Sequence, residues 1–154
     1  LYITNAVQEE VGLRGAQMIT ETIRPDVAIV TDVTHDTHTP MINKIKEGNC
    51  SMEKGPVVTF GPAVQNNLLK LIIETAKKEK IEIQRAAASR STGTDTDAFA
   101  FNTGGVASAL ISLPLRYMHT TVETVAQKDV ENVIKLIYNS LLKIKNNQDF
   151  RYLK

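Results

Sequence analysis

The pattern of apolar and polar positions predicts strands and helices that alternate along the chain. Apolar runs predict strands at residues 1–7, 27–33, 57–60, 81–87 and 106–113, and Pro114 is expected to close the last of them. Helical spacing of apolar residues predicts helices at 12–23, 65–80, 98–102 and 128–145. This order indicates a three-layer α/β fold, in which a mixed, mostly parallel sheet has helices on both faces.

Two polar segments interrupt this pattern. Residues 34–55 contain Pro40, Gly48 and Gly55 and are expected to form a functional loop or a short excursion at the edge of the sheet. Residues 89–97 form a second loop of small polar residues. In the last helix, six side chains are expected to face the core: Val130, Val133, Ile134, Ile137, Leu141 and Leu142.

The composition predicts one globular domain. The chain has 154 residues, of which 42% are hydrophobic and 23% are charged, which is enough for a sizeable core. The net charge of +1 gives the chain as a whole no attraction to nucleic acid or to an anionic membrane, and it leaves local charged patches open. The single cysteine, Cys50, favours a cytoplasmic location. No apolar stretch reaches the roughly 20 residues that span a bilayer, and the first residues lack the pattern of a secretory signal.

Two adjacent acids, Glu9 and Glu10, follow the first predicted strand. Neighbouring side chains at a strand end point in different directions, so one carboxylate can bind a metal while the other accepts a proton from water. This pattern is typical of a metal-dependent hydrolase. Alternatively, the two acids simply favour the N-terminus of the following helix, whose exposed N–H groups attract negative charge.

The ends of other predicted strands carry similar residues. Asp32 closes the second strand, Asp95 follows the fourth and His119 follows the fifth. Because functional sites gather at the carboxyl ends of strands in such sheets, we expect these side chains to meet Glu9 and Glu10. Carboxylate and imidazole groups suit zinc, manganese or cobalt, although polar clusters also serve structural roles.

Four motifs, in order, resemble the glutamyl or deblocking aminopeptidases. They are VQEEVGLRGA from Val7, DVTHDTHTP from Asp32, TGTDTDAF from Thr92 and SLPLRYMHTTVE from Ser112. Members of this family are two-metal enzymes that form tetrahedral particles, and some have been labelled cellulases or endoglucanases. The resemblance covers nearly the whole chain and implies a zinc-exopeptidase-like fold.

The resemblance implies a role for each matching residue. Glu9 corresponds to the general base. Glu10 and His119 correspond to ligands of one metal ion, and Asp32 corresponds to a ligand of the other. Thr94 and Asp95 match a loop at the rim of the site. The implied cofactors are two divalent ions, zinc or cobalt with manganese as an alternative, and the implied substrate is a peptide with a free N-terminus.

The same resemblance implies that this chain, residues 1–154, is the C-terminal portion of a catalytic domain. A further histidine, a bridging aspartate and the oligomerisation domain would precede Leu1, so metal binding by the chain alone is expected to be incomplete. The complete protein is expected to be a homo-oligomer, as in the dodecamers of relatives. Thr37 and His38 depart from the Gly-Asp pair that is usual there, which leaves the shape of the Asp32 loop open.

Several other residues have two interpretations. His35 is close enough in sequence to Asp32 to support it. Glu123 either orients the imidazole of His119 or begins the last helix. Arg116 either reaches substrate or forms a surface ion pair. A separate zinc site at His35, His38 and Cys50 would lack a fourth ligand.

Two alternatives to the aminopeptidase remain. Paired carboxylates also serve glycoside hydrolases, but that reaction needs carboxyl groups that face each other across roughly 5 to 9.5 Å, whereas adjacent residues of a strand diverge. A non-catalytic assembly subunit is the third hypothesis, because some metal ligands are missing from the chain.

Overall fold

The computed structural model describes residues 1–152. In that range the strands are β1 (Val27–His35), β2 (Val57–Phe60), β3 (Gln84–Ala87), β4 (Ala107–Arg116) and β5 (Thr124–Val125). The helices are α1 (Arg14–Ile23), α2 (Lys44–Glu47), α3 (Asn66–Lys78), α4 (Asp95–Phe101) and α5 (Gln127–Leu141). None of these helices has the length and apolarity of a membrane span.

The strands form one mixed sheet in the order β1-β4-β2-β3, and β5 pairs with the end of β4. β1 and β4 are parallel along all nine residues of β1, and β2 and β3 are also parallel. β2 is antiparallel to β4. Most of the ladder is therefore parallel, as predicted, but β2 and β3 run opposite to β1 and β4.

Helices cover both faces of the sheet and make three layers, which confirms the predicted fold class. Side chains alternate along β1. Val27 and Ile29 pack against a core that α3 and α5 close, whereas Ala28 and Val30 pack in a second core with α1 and α4. The first core contains Leu68, Leu69 and Ile72 of α3 and Val133 and Leu136 of α5; the second contains Ala16 of α1 and Ala98 and Phe99 of α4.

The apolar run at residues 1–7 is not a strand, so that prediction is wrong. The side chains of Leu1 and Ile3 are 92% and 93% exposed, and the run pairs with no strand among residues 1–152. An apolar segment forms a strand only where another strand satisfies its backbone groups. Here the segment bonds instead to the start of α1, where Gly15 N–H donates to Val7 O at 3.0 Å.

β4 continues through Pro114, which was expected to end it. Backbone groups of successive strand residues point to opposite sides, and the carbonyl of Leu115 faces β1, where it accepts the N–H of Asp36 at 2.8 Å. The nitrogen of Pro114 therefore faces the other side. There the β2 ladder has ended at Ser112 and β5 begins only opposite Leu115. Proline is tolerated because no neighbouring strand needs an N–H at this point.

The last helix buries fewer of its apolar residues than predicted. Val133 and Ile137 pack in the core, but Ile134 and Leu142 are 62% and 68% exposed. Successive helical residues lie about 100° apart around the axis, so Ile134 cannot share the face of Val133. Leu136, which the prediction omitted, is fully buried.

Candidate metal and catalytic site

Glu9 and Glu10 lie in a turn that precedes α1. The carbonyl of Glu9 accepts hydrogen bonds from the N–H groups of Gly12, at 3.1 Å, and Leu13, at 3.0 Å. α1 begins at Arg14 and has no acidic residue in its first turn. The pair is therefore not the acidic start of the helix, which was the alternative explanation for it.

Asp32 lies on the face of β1 that α1 and α4 cover. Ala28 and Val30 pack on that face, and the two-residue period of a strand places Asp32 there as well. Its Oδ1 accepts the backbone N–H of Val33 at 2.7 Å, which orients the carboxylate. Asp32 thus lies in the same layer as the turn before α1.

His119 lies in the loop after β4 and contacts Glu10 directly. Its Nε2 is 3.0 Å from Glu10 Oε1, although 109 positions separate the two residues. The φ of His119 is 61°, a left-handed conformation that is costly for a residue with a side chain. Glu123 Oε1 accepts the backbone N–H of His119 at 2.6 Å. Glu123 therefore holds the backbone of His119, not its imidazole, and α5 begins later, at Gln127.

Asp95 reaches the site by a different route from the predicted one. α4 begins at Asp95, which the sequence placed in a loop. β3 runs opposite to β1 and β4, so its carboxyl end lies beside the amino ends of those two strands and not beside their carboxyl ends. Residues 88–94 lead the chain back, and α4 packs against β1 through Ala98 and Phe99. This packing places α4 on the same face as Asp32.

The charges of these side chains act on one another. Burial is the largest cause of a raised pKa at Glu9; the carboxylates of Asp32, Glu10 and Asp95 raise it further, and His119 lowers it. Burial also raises the pKa of Asp32 and of Asp95, and a neighbouring carboxylate adds to each shift. These five residues form the candidate site. A bound cation would stabilise its ionised carboxylates.

The donor types of the candidate site suit zinc, cobalt or manganese. Glu10 and His119 already lie in contact, and the carboxylate of Glu10 acts on that of Asp32. Within residues 1–152, however, no three such side chains are arranged to hold an ion. The chemistry of the donors therefore fits a divalent metal, while their number falls below the three protein ligands that are usual for catalytic zinc.

Three more residues were expected near the site. Thr94 is buried and has a structural contact, because its Oγ1 accepts the N–H of Thr96 at 3.3 Å and caps α4. Arg116 Nε lies 3.9 Å from Oδ2 of Asp36. Because Asp36 is buried, this is not the surface ion pair that was one interpretation of Arg116, and a contact of Arg116 with substrate stays a prediction. His35 is the last residue of β1, and its supporting role stays a prediction.

Asp36 is a residue that sequence reasoning missed. Its side chain is buried, and its carboxylate accepts the backbone N–H groups of His38, at 2.7 Å, and Met52, at 3.4 Å. These bonds join the two ends of the loop after β1. An aspartate that binds the N–H two residues later is an Asx turn, so its place directly after a strand was the available signal.

The separate zinc site at His35, His38 and Cys50 has no support from the structure. The Nδ1 of His38 is 2.9 Å from Ser51 Oγ. Burial raises the pKa of Cys50 to about 12, and the charges of Asp36 and Asp129 add to this. Among residues 1–152, these three side chains do not form a group that could hold a metal ion.

Several solved structures with this fold are described as aminopeptidases, and one, from Thermotoga maritima, is described as an endoglucanase (TM-score 0.59, 27% identity, over 80% of this chain and 36% of that one). A TET aminopeptidase from a marine sediment archaeon of the Thaumarchaeota superposes with a TM-score of 0.83 and 34% identity, over 91% of this chain and 39% of that one. The TET1 peptidase of Pyrococcus horikoshii gives a TM-score of 0.68 and 28% identity, over 88% of this chain and 38% of that one. These similarities agree with the three-layer architecture.

The chain belongs to the M42 glutamyl aminopeptidase family, which its residues 1–136 match. A lysyl aminopeptidase from Pyrococcus furiosus is 42% identical over 136 residues. That alignment covers 88% of this chain and 38% of the relative, so the chain spans about two fifths of the relative's length. The resemblance found in the four motifs is thus confirmed.

Proposed function

We propose that this chain forms part of a metal-dependent aminopeptidase that removes the N-terminal residue of peptides. The observation that carries the proposal is the 3.0 Å contact between Glu10 and His119, beside Glu9 and Asp32. The family and its named relatives support the reaction type, because they are aminopeptidases.

In this proposal, Glu10 and His119 hold one metal ion and Asp32 holds a second. Zinc or cobalt is the expected metal, and manganese suits the same donors. When bound, the metal pair polarises the scissile carbonyl and lowers the pKa of a water molecule. The mutual repulsion of the carboxylates supports this assignment, because bound cations would relieve it.

Glu9 is the proposed general base. One carboxylate oxygen of Glu9 accepts a proton from the attacking water and later returns it to the nitrogen of the leaving amine, so Glu9 ends the cycle unchanged. Burial and the neighbouring carboxylates raise the pKa of Glu9. A carboxylate with a raised pKa is a better proton acceptor near neutral pH.

The remaining ligands are proposed to come from residues outside this chain. The relatives are much longer, and the chain covers only 38% and 39% of the two most similar ones described above. In this proposal the chain is the C-terminal portion of the catalytic domain. An upstream histidine and a bridging aspartate would complete the two metal sites.

A homo-oligomer is the proposed assembly. The TET1 peptidase of Pyrococcus horikoshii can assemble into a tetrahedron or a large octahedral shell. A cytoplasmic location is proposed as well, because Cys50 is a free, buried cysteine and a reducing compartment preserves free thiols.

The proposal is tested by hydrolysis of aminoacyl anilides by the complete polypeptide that carries this sequence. We expect activity with added zinc or cobalt and loss of activity in a chelator. Glu9→Gln is expected to lower kcat about 100-fold or more, since general base catalysis contributes roughly 10²–10⁴-fold. Glu21→Gln, on the exposed side of α1, is the matched control and is expected to leave kcat unchanged.

A β-glucoside separates this proposal from its alternatives. Cleavage of the glucoside and not of the anilides would favour a glycoside hydrolase. Cleavage of neither substrate would favour a non-catalytic assembly subunit. Full activity of Glu9→Gln against the anilides would remove Glu9 from the mechanism and leave the reaction type intact.

A further inference from the structure

Gly15, in the first turn of α1, lies against the segment that carries the two glutamates. A Cβ atom placed on Gly15 would be 2.5 Å from both the N and the O of Val7, and 3.2 Å from its carbonyl carbon. Cβ atoms in proteins do not approach other heavy atoms closer than 3.0 Å. The backbone of Val7 therefore occupies the space that any side chain at position 15 would need.

This close approach is fixed by a ladder of backbone hydrogen bonds. Gly15 N–H donates to Val7 O at 3.0 Å, Arg14 N–H to Gln8 O at 3.4 Å, and Leu13 N–H to Glu9 O at 3.0 Å. The first N–H groups of a helix have no partner inside it and usually need a side-chain cap. α1 has no side-chain cap. The carbonyl groups of residues 7–9 take the place of that cap.

We propose that Gly15 is a positioning residue for Glu9 and Glu10. Its missing side chain lets residues 7–9 lie directly on the N-terminus of α1, and this packing fixes where the two carboxylates stand relative to His119 and Asp32. The inference rests on the proposed function for its kinetic consequence, but its structural consequence is measurable without activity.

The segment, and not the helix, must move if a side chain is added. The atoms that oppose the added Cβ belong to the backbone of Val7, which has no rotamer that would relieve the contact. On the other side, Ala16 and Thr20 of α1 are fully buried. The helix is therefore held against the sheet, while residues 1–5 before the segment are exposed. Residues 7–10 are expected to shift away from α1.

Gly15→Ala tests the proposal in the complete, metal-loaded polypeptide. A misplacement of about 1 Å can cost roughly 10²-fold in rate, so we expect kcat for an aminoacyl anilide to fall by at least about 10-fold with a much smaller change in KM. Helix propensity alone gives no reason for such a loss of activity. Ala is favoured over Gly inside helices by about 1 kcal/mol, so by propensity alone the substitution would stabilise α1. Glu21→Ala, on the exposed side of the same helix, is the control and is expected to keep kcat.

A second readout does not depend on catalysis. In the chelator-treated, metal-free polypeptide, the imidazole NMR signals of His119 report its 3.0 Å contact with Glu10. We expect these signals to change in Gly15→Ala but not in Glu21→Ala, with unchanged circular dichroism in both. Unchanged kcat and unchanged His119 signals would overturn the proposal, and so would loss of the folded state, because a local shift is predicted. An inactive wild-type polypeptide would instead count against the proposed function and leave the NMR test valid.

Discussion

Asp32 carries a charge that the fold disfavours. Burial raises its pKa, and the charge of Glu10 raises it further. A carboxyl whose pKa is higher in the folded chain stabilises the fold below its unfolded pKa, and this contribution is lost as the pH rises through the folded pKa. Without metal, ionised Asp32 therefore lowers the free energy of unfolding at pH 7. Proteins accept such a cost at sites that serve function.

Asp32→Asn is expected to raise Tm at pH 7 in the presence of a chelator. The amide removes the charge, and its Oδ1 can still accept the N–H of Val33. At pH 3, below the unfolded pKa of about 3.9, Asp32 is largely protonated in both states, so the difference in Tm is expected to shrink. Thermal unfolding followed by circular dichroism at both pH values measures this. The exposed Asp26 provides the control Asp26→Asn, which should show no such pH dependence; a lower Tm of Asp32→Asn at pH 7 would contradict the prediction.

At the scale of elements, the first turn of α5 fixes the loop that leads into β2. Asp129, in the first turn of α5, is fully buried. Its carboxylate accepts the backbone N–H groups of Glu53, at 2.6 Å, and Gly55, at 2.9 Å. This loop leads into β2, the strand that joins the two parallel pairs of the sheet. One side chain thus ties a helix to the entry of a central strand.

Asp129→Ala is expected to lower the free energy of unfolding by about 2–4 kcal/mol. A buried N–H that loses its acceptor costs about 1–3 kcal/mol, which applies in full to Gly55, whereas the bond of Glu53 is only part-buried and adds about 1 kcal/mol. Urea unfolding at neutral pH gives the value. The matched control is Glu131→Ala, at an exposed position of the same helix, for which we expect a change within about 0.5 kcal/mol. A loss below about 1 kcal/mol in Asp129→Ala would show that water replaces the carboxylate.

Elements that bury a complete apolar face could be predicted from the sequence. In α3, Leu68, Leu69 and Ile72 are buried as expected, and the helix ends within two residues of the predicted limits of 65 and 80. The strand predicted at residues 57–60 is β2. In both cases the local spacing of apolar residues contains the information that decides the structure.

Elements that depend on distant partners could not be predicted in this way. Residues 1–7 have the composition of a strand but no strand beside them. Pro114 continues β4 because the neighbouring ladders leave a gap at its nitrogen. Ile134 is apolar yet faces away from the sheet. Each outcome is set by tertiary packing, which overrides local preference.

The candidate site exists only at the scale of the whole molecule. Glu10 and His119 were expected to lie close together, and their side chains are in direct contact. The rule about carboxyl ends of strands applies to Asp32 and His119, because β1 and β4 are parallel. It fails for Asp95, since β3 runs the other way and α4 makes the approach instead. The sequence gives no sign of the contact at Gly15, because that contact is with the backbone of another segment.

Zinc-loaded crystals of the complete polypeptide would test the central claim most directly, with anomalous diffraction to locate the metal. The account predicts one zinc within about 2.0–2.2 Å of both a Glu10 oxygen and a His119 nitrogen, and a second zinc bound by Asp32. The direct Glu10–His119 hydrogen bond would then be replaced by the shared metal. An active, zinc-loaded enzyme that keeps this hydrogen bond and binds its zinc elsewhere would contradict the account.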